Sequence, residues 1–400
     1  MPWKETGPLE QRVQFLIEWK KGEASMAALC RAFAISRPTG YKWVARYFED
    51  GGEGDVRGLE DRSRRPVFSP QAIDGERIDL LIRARKLRPH WGPRKLHAWL
   101  AREWPRRVLP APSTIGEILK RHGLVRPRRR RRHTPPYTRP FAECKAPNAV
   151  WCVDFKGHFR MQDGERCHPL TMTDAYSRLL LRCEAALAPD ARSVRPVFES
   201  AFREFGLPNA IRSDNGSPFA STGAGGLTPL SVWWIKLGIV PERIEPGKPQ
   251  QNGRHERMHR TLKQETASPP RASLRAQQRA FDLFRRRYNE ERPHEALGQR
   301  PPAAFYEPSA RPYRENPPRP QPPFDAEQAV VDRQGEIRWG RRRYFLASCL
   351  GGETVELTPA GERQWEVHFG PVLLGILDEQ RARRDLIRPR RRPHAHPRDL

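Results

Sequence analysis

The residues best suited to chemistry are three acids. Asp154 lies in the apolar, strand-like run 149–155. Asp214 ends a second short strand, 209–214, and the Asn215-Gly216 turn behind it leaves its carboxylate exposed at a sheet edge. Glu256 falls one turn inside a helical stretch that begins near Gln251. Phosphodiester chemistry needs charge neutralisation rather than a protein nucleophile. Two Mg2+ ions about 3.5–4 Å apart can activate an attacking oxygen and stabilise the leaving one. Such hard cations take carboxylate oxygens, a few from the protein and the rest from substrate phosphates. The expected cofactor is therefore Mg2+, with Mn2+ able to stand in. No Walker A loop is present, so no nucleotide is expected.

The charge balance points the same way. Of 400 residues, 73 are Lys or Arg and 47 are Asp or Glu, a net charge of +26. Such an excess sets aside a small-molecule enzyme and favours a polyanionic partner, because each phosphate contact releases a condensed counterion. Hydrophobic residues make up only 37% and prolines number 41, so part of the chain is linker or tail. The cysteines Cys30, Cys144, Cys152, Cys167, Cys183 and Cys349 are scattered without C-x-x-C spacing. That argues against a disulfide framework or zinc ribbon and for a cytoplasmic, nucleoid-associated setting. No run is apolar enough to span a membrane.

Several elements must position these acids. Residues 1–60 read as three helices, with Ser25 and Ser36 as N-caps, in helix-turn-helix order. Arg37, Thr39, Lys42 and Arg46 on the third helix are its candidate DNA-facing side chains. Residues 66–125 give three more helices, either a second helix-turn-helix with Thr114, Lys120 and Arg121 near DNA or a structural bundle. An Arg/Pro-rich linker follows over 126–147, in which Arg128, Arg129 and Arg130 are suited to tracking phosphates. Residues 148–307 run strand, strand, strand, helix, strand, helix, strand, long helix, which describes an α/β domain with a mixed sheet. A Pro-rich linker covers 308–324. Short alternating strands over 325–378 suggest a small β-barrel of about five strands, and 379–400 form a basic tail.

The runs around the three acids, Val150 to Gly157, Ser213 to Phe219 and Pro249 to Lys263, resemble the DDE motifs of insertion-sequence transposases and retroviral integrases. The likeness is closest to the IS3/IS481 type, and Tyr288-Asn289 through Pro301-Pro302-Ala303 resembles the end of that family's core. The resemblance implies an RNase H-like catalytic fold, with Asp154, Asp214 and Glu256 as metal ligands and Asp154 bridging both ions. It places Arg260 and Lys263 on DNA, and both share a helix face with Glu256. Asn215, beside Asp214, is a further candidate for positioning DNA. The implied reaction is hydrolysis at an element end, followed by transfer of the freed 3′-hydroxyl into target DNA. Its partners are double-stranded DNA, both terminal repeats and target, and further copies of the chain.

Two features depart from the pattern. Forty-one residues separate Asp214 from Glu256 where the family has about 35, and the surplus is expected in 221–226. The N-terminal His/Cys zinc unit of retroviral integrases is missing, so no zinc is expected. Asp174 reads as a turn residue rather than a ligand, Trp151, Trp233 and Trp234 as core, and Cys152 as a small core residue. His255 and His259 stand four apart on one helix face, a spacing that can hold a metal, and are expected instead to face DNA or pack. Competing functions are a domesticated DNA-binding regulator with an inactive integrase-like core, a nuclease of RNase H type and a nucleic-acid-packaging protein.

Overall fold

A computed structural model describes residues 7–49, 55–62, 72–125, 144–244, 253–315, 326–381 and 385–387. The linker arginines Arg128, Arg129 and Arg130 and most of the basic tail lie outside the described residues. The chain divides into two compact units, 1–72 and 73–400.

The first unit holds α1 (Pro8–Lys21), α2 (Met26–Ala32) and α3 (Arg37–Tyr47). Ser25 caps α2 by accepting from Ala28 N, and Ser36 caps α3 by accepting from Thr39 N, so each helix starts where its first free N–H groups find a partner. Phe15, Leu16, Leu29, Cys30, Trp43 and Leu59 form the core. Gly40 sits where α3 crosses this core: a Cβ there would lie 2.7 Å from Cys30 Sγ, so only glycine lets the helices approach.

In the second unit, α4 (Gly75–Leu87), α5 (Pro93–Glu103) and α6 (Pro112–Arg121) close on Leu81, Leu96, Leu100 and Ile115. The central domain follows: β1 (Val150–Phe155), β2 (Phe159–Arg160), β3 (Arg166–Asp174), β4 (Leu180–Ala186), α7 (Ala191–Phe205), β5 (Ala210–Ser213), α8 (Pro229–Lys236), β6 (Val240–Arg243), α9 (Gly253–Thr266) and α10 (Leu274–Arg286). β1, β3 and β4 are antiparallel neighbours, and β5 and β6 continue parallel to β1, which is the mixed RNase H-like sheet. Alternation along β1 sorts the side chains. Trp151 and Val153 enter a core with Phe198 and Phe202 of α7 and Trp234 of α8, while Cys152 and Asp154 take the opposite face. α8 is apolar all round, with every residue from Leu230 to Ile235 buried.

The single long helix expected after residue 251 is two helices, broken at Ser268-Pro269-Pro270, where proline removes backbone donors. α10 covers the exposed edge of β4 with amide side chains that stand in for a neighbouring strand. Gln278 accepts from Ala185 N (2.7 Å) and donates to Cys183 O (3.1 Å). Asn289 accepts from Leu180 N (2.8 Å) and donates to Leu180 O (2.9 Å). This satisfies the ladder groups that an edge strand otherwise presents to other chains. Residues 308–315 pack on this domain: Arg311 donates to Pro208 O, Leu237 O and Gly238 O.

The expected five-stranded barrel is not what the C-terminal residues form. Six strands are described, β7 (Glu327–Val330), β8 (Glu336–Trp339), β9 (Arg342–Phe345), β10 (Thr354–Gly361), β11 (Gln364–Phe369) and β12 (Val372–Asp378). They make a four-stranded antiparallel sheet, β12-β11-β10-β7, and a separate β8-β9 hairpin, with no closed barrel among the described residues. Their shared core includes Leu227, Val232 and Ile235 from the central domain. The loop 221–226, where surplus length was expected, meets this sheet. A Cβ on Gly225 would lie 2.9 Å from Leu374 Cδ2.

Candidate active site

Asp154 and Asp214 are brought together by strand register. β1 and β5 pair in parallel with Cys152 opposite Arg212. Two residues further along each strand stand Asp154 and Asp214, on the same face by the alternation of a strand. Both are half-buried. Asp214 accepts from Gly216 N at 3.2 Å, an Asx-type contact that fixes the turn. Asn215, a candidate for positioning DNA, is exposed and donates to Ile244 O at 2.9 Å.

Glu256 is exposed in the first turn of α9. It does not join the side chains that close on Asp154. Those are His255 and His259, whose ligand atoms lie within 4.8 Å of each other and of an Asp154 carboxylate oxygen, the one such group among the described residues. Both imidazoles are buried against β3 rather than exposed on the helix surface. Residues 255–259 spell His-Glu-x-x-His, a run that can carry zinc when both rings turn a free nitrogen to the ion. Here both Nε2 atoms converge on the Thr171 hydroxyl, at 2.6 Å from His255 and 2.7 Å from His259. Thr171 is the cross-strand partner of Asp154 and also bonds the Asp154 carbonyl at 3.1 Å. Thr173 Oγ1 lies 3.2 Å from His255 Nδ1. Burial pushes the His255 pKa down to about 3 and that of His259 down to about 2, so both rings are neutral.

The donor set fits a divalent cation. Asp154 and Asp214 supply carboxylate oxygens from adjacent strand ends, and His259 Nδ1 stands 3.8 Å from Asp154 Oδ2. Next to this edge is a cavity of about 260 Å3 lined by Lys156, His158 and Lys263 over Phe159 and Leu262. Lys263 and Arg260 are exposed on α9. Lys156, two residues past Asp154, was not singled out in the sequence. Its signal was a lysine at the exit of the strand that bears the first acid.

The DNA-facing candidates sit as follows. Arg37 and Lys42 are exposed on α3, and Arg46 is half-buried with its guanidinium 5.0 Å from the Trp43 ring centre. Thr39 shares a 2.8 Å hydrogen bond with Ser36, so its hydroxyl serves the cap. Thr114, Lys120 and Arg121 are exposed on α6. Through the end of α4 and through α5, this helical unit is docked on the segment after α10. Arg88 pairs with Glu291, Lys95 donates to Pro293 O (2.7 Å), Arg102 to Glu291 O (3.0 Å) and Arg94 to Glu295 (3.1 Å).

Known proteins resemble the N-terminal and central parts of the chain. Two integrase core domain models match residues 145–249 and 237–302. A helix-turn-helix domain model matches 11–66 and a homeodomain-like domain model matches 39–119. The insertion element IS407 uncharacterized 31.7 kDa protein of Burkholderia multivorans is 30% identical over 220 residues, 54% of this chain and 76% of that protein. The insertion element IS476 uncharacterized 39.2 kDa protein of Xanthomonas euvesicatoria is 27% identical over 242 residues, 60% of this chain and 66% of that protein. Among solved structures, the HTLV-2 integrase catalytic core domain in complex with magnesium aligns with a TM-score of 0.33 at 16% identity, over 41% of this chain and 99% of that one. A simian T-cell lymphotropic virus intasome aligns with a TM-score of 0.37 at 15% identity, over 71% of this chain and 91% of that one.

Proposed function

The chain belongs to the insertion-element transposases that carry an integrase core domain, and we propose that it cuts and joins DNA with Asp154, Asp214 and Glu256 after binding its element's ends through the N-terminal helices. The observation that carries this reading is the β1–β5 register, which sets two carboxylates at the carboxyl ends of neighbouring central strands in a chain of net charge +26. Glu256, exposed in the first turn of α9, is the third ligand, recruited when DNA seats between that helix and the sheet.

Divalent ions held by these carboxylates, Mg2+ or Mn2+, would neutralise phosphate charge and favour ionisation of the attacking hydroxyl. The residues around them do the rest. Lys156 and Lys263 hold DNA phosphates along the cavity wall, and Arg260, exposed on α9, adds a further phosphate contact. Arg37, Lys42 and Arg46 on α3 read or grip the element end, and Thr114, Lys120 and Arg121, exposed on α6, make DNA contacts of their own. In the first reaction water attacks the end phosphodiester, one P–O bond forming as another breaks, and a 3′-hydroxyl is left. In the second, that hydroxyl attacks a target phosphodiester and displaces its 3′ oxygen. No bond to the protein forms in either. Two ends must be held at once, so the working form is a multimer of this chain. The His-Glu-Arg-Met-His run and its approach through Asn252-Gly253 favour the IS481 branch.

Strand transfer in vitro tests this. Purified protein is incubated with a labelled element-end duplex, supercoiled target and Mg2+, beside Asp154→Asn, Asp214→Asn and Glu256→Gln. Joined product from the wild type, lost in each variant while end binding persists, is the expected result. End binding without cleavage or joining, even in Mn2+, marks an inactive core serving a regulator. Cleavage with neither joining nor preference for the element end marks a nuclease.

A further inference from the structure

The hydrogen bonds around Thr171 fix which nitrogen of each buried histidine carries its proton. Thr171 Oγ1 has one proton, and it goes to the Asp154 carbonyl, which can only accept. His255 Nε2 and His259 Nε2 must then both donate to the hydroxyl's lone pairs. With Nε2 turned to Thr171, Nδ1 is the ring atom left to face a proton donor or a cation. His255 Nδ1 takes the Thr173 hydroxyl proton. His259 Nδ1 instead faces Asp154 Oδ2, another acceptor, at 3.8 Å.

Distance decides what belongs between these two acceptors. A direct hydrogen bond needs them roughly 1 Å closer. A water donating to both at about 2.8 Å holds them about 4.5 Å apart. Two bonds of about 2.1 Å to one divalent ion reach across at most about 4.2 Å. The observed 3.8 Å is shorter than the water bridge and within an ion's reach; cis ligands of an octahedral ion stand about 3 Å apart, so binding draws the two atoms together.

We propose that His259, through Nδ1, is a nitrogen ligand of the divalent ion carried by Asp154, and that this mixed donor set makes the site prefer Mn2+ to Mg2+. The proposal rests on the reading of Asp154 as a metal ligand. Imidazole nitrogen suits transition metals, whereas Mg2+ takes oxygen. His255 has a different task, since its two nitrogens hold Thr171 and Thr173 and so anchor α9 to β3.

Pulsed electron paramagnetic resonance of Mn2+ bound to the full-length protein reads nitrogen coordination directly. The wild type should show nitrogen-14 modulation, and growth on 15N-histidine should replace it with the nitrogen-15 pattern. His259→Gln keeps an amide that can donate to Thr171 but has no Nδ1. It should lose the modulation and bind Mn2+ about tenfold more weakly, a ligand-shell loss of the usual size, with Mg2+ affinity changed far less. Mn2+ bound through Asp154 without nitrogen modulation overturns the proposal, as does modulation that survives in His259→Gln. Equal Mn2+ binding by wild type and Asp154→Asn overturns instead the underlying reading of Asp154. If His259→Gln does not fold, the wild-type spectrum with and without the nitrogen-15 label still separates these outcomes.

Discussion

Replacing Thr171 by valine should be far more damaging than its shape suggests. The two side chains are isosteric, and valine adds apolar surface in a site that is fully buried. Yet the hydroxyl is the shared partner of three groups: the Asp154 carbonyl, His255 Nε2 and His259 Nε2. Each buried polar group left unpaired costs about 1–3 kcal/mol, and the extra methyl character returns about 1 kcal/mol. The net loss is about 2–8 kcal/mol. For a domain of this size 1 kcal/mol shifts the melting temperature by about 2–4 °C, so unfolding of the central domain should come at least about 4 °C earlier. Thr171→Ser keeps the hydroxyl and removes one methyl, at a cost of about 1 kcal/mol. Calorimetry would give the shifts, and native-state hydrogen exchange at the β3 amides would assign them to this domain. Valine melting within 2 °C of wild type, or serine melting before valine, would refute the reasoning, because the hydroxyl would then not be the hub of the network.

Other expectations follow from the same geometry. The Lys95 pKa is lowered to about 8, chiefly by burial and then by the nearby Arg292 charge. The unfolded chain keeps that proton up to about pH 10.4, so between pH 8 and that value it binds more protons than the folded one and stability rises with pH. The gain, at most about 3 kcal/mol, should vanish in Lys95→Met, read as melting temperature against pH. Glu291→Gln leaves Arg88, whose side chain is 11% exposed, beside an uncharged partner. The cost should be about 1–3 kcal/mol, below the full figure for a buried pair because Glu291 is itself 31% exposed, and hydrogen exchange over α4–α6 should quicken. Arg260→Ala and Lys263→Ala should each lower the slope of log affinity against log salt by about 0.9. Arg88→Leu, whose guanidinium is committed to Glu291, should leave that slope unchanged.

Much of this was legible in the sequence where local rules decide. Ser25 and Ser36 mark helix starts because an N-cap is a local device, and Asp154 and Asp214 fall at strand ends because strands announce themselves by composition. What escaped depends on distant partners. The four-residue spacing of His255 and His259 was visible, but the His255 ring closes on a hydroxyl 84 residues away. Gln278 and Asn289 look like solvent-facing residues on a helix, until β4 is placed beside them. The Arg88–Glu291 pairing spans 203 residues, so nothing local could reveal that α4–α6 is docked. The C-terminal strands were legible one by one. Closure into a barrel depends on register between strands, which their alternation does not encode. The break between α9 and α10 was written in Pro269-Pro270 and outweighed by the helical residues around it.

α8 lies between two cores at once. Trp233 and Trp234 belong to the sheet domain, whereas Val232 and Ile235 belong to the C-terminal sheet. The proline-rich stretch after residue 307 therefore looks like a seam at which modules could be exchanged, but the real seam runs down the middle of a helix. Ending the chain at 307 would bare Leu227, Val232 and Ile235 as an apolar stripe, and the shortened protein should aggregate. A C-terminal sheet grafted from another protein should therefore fold onto this domain only when the outward face of α8 is grafted with it.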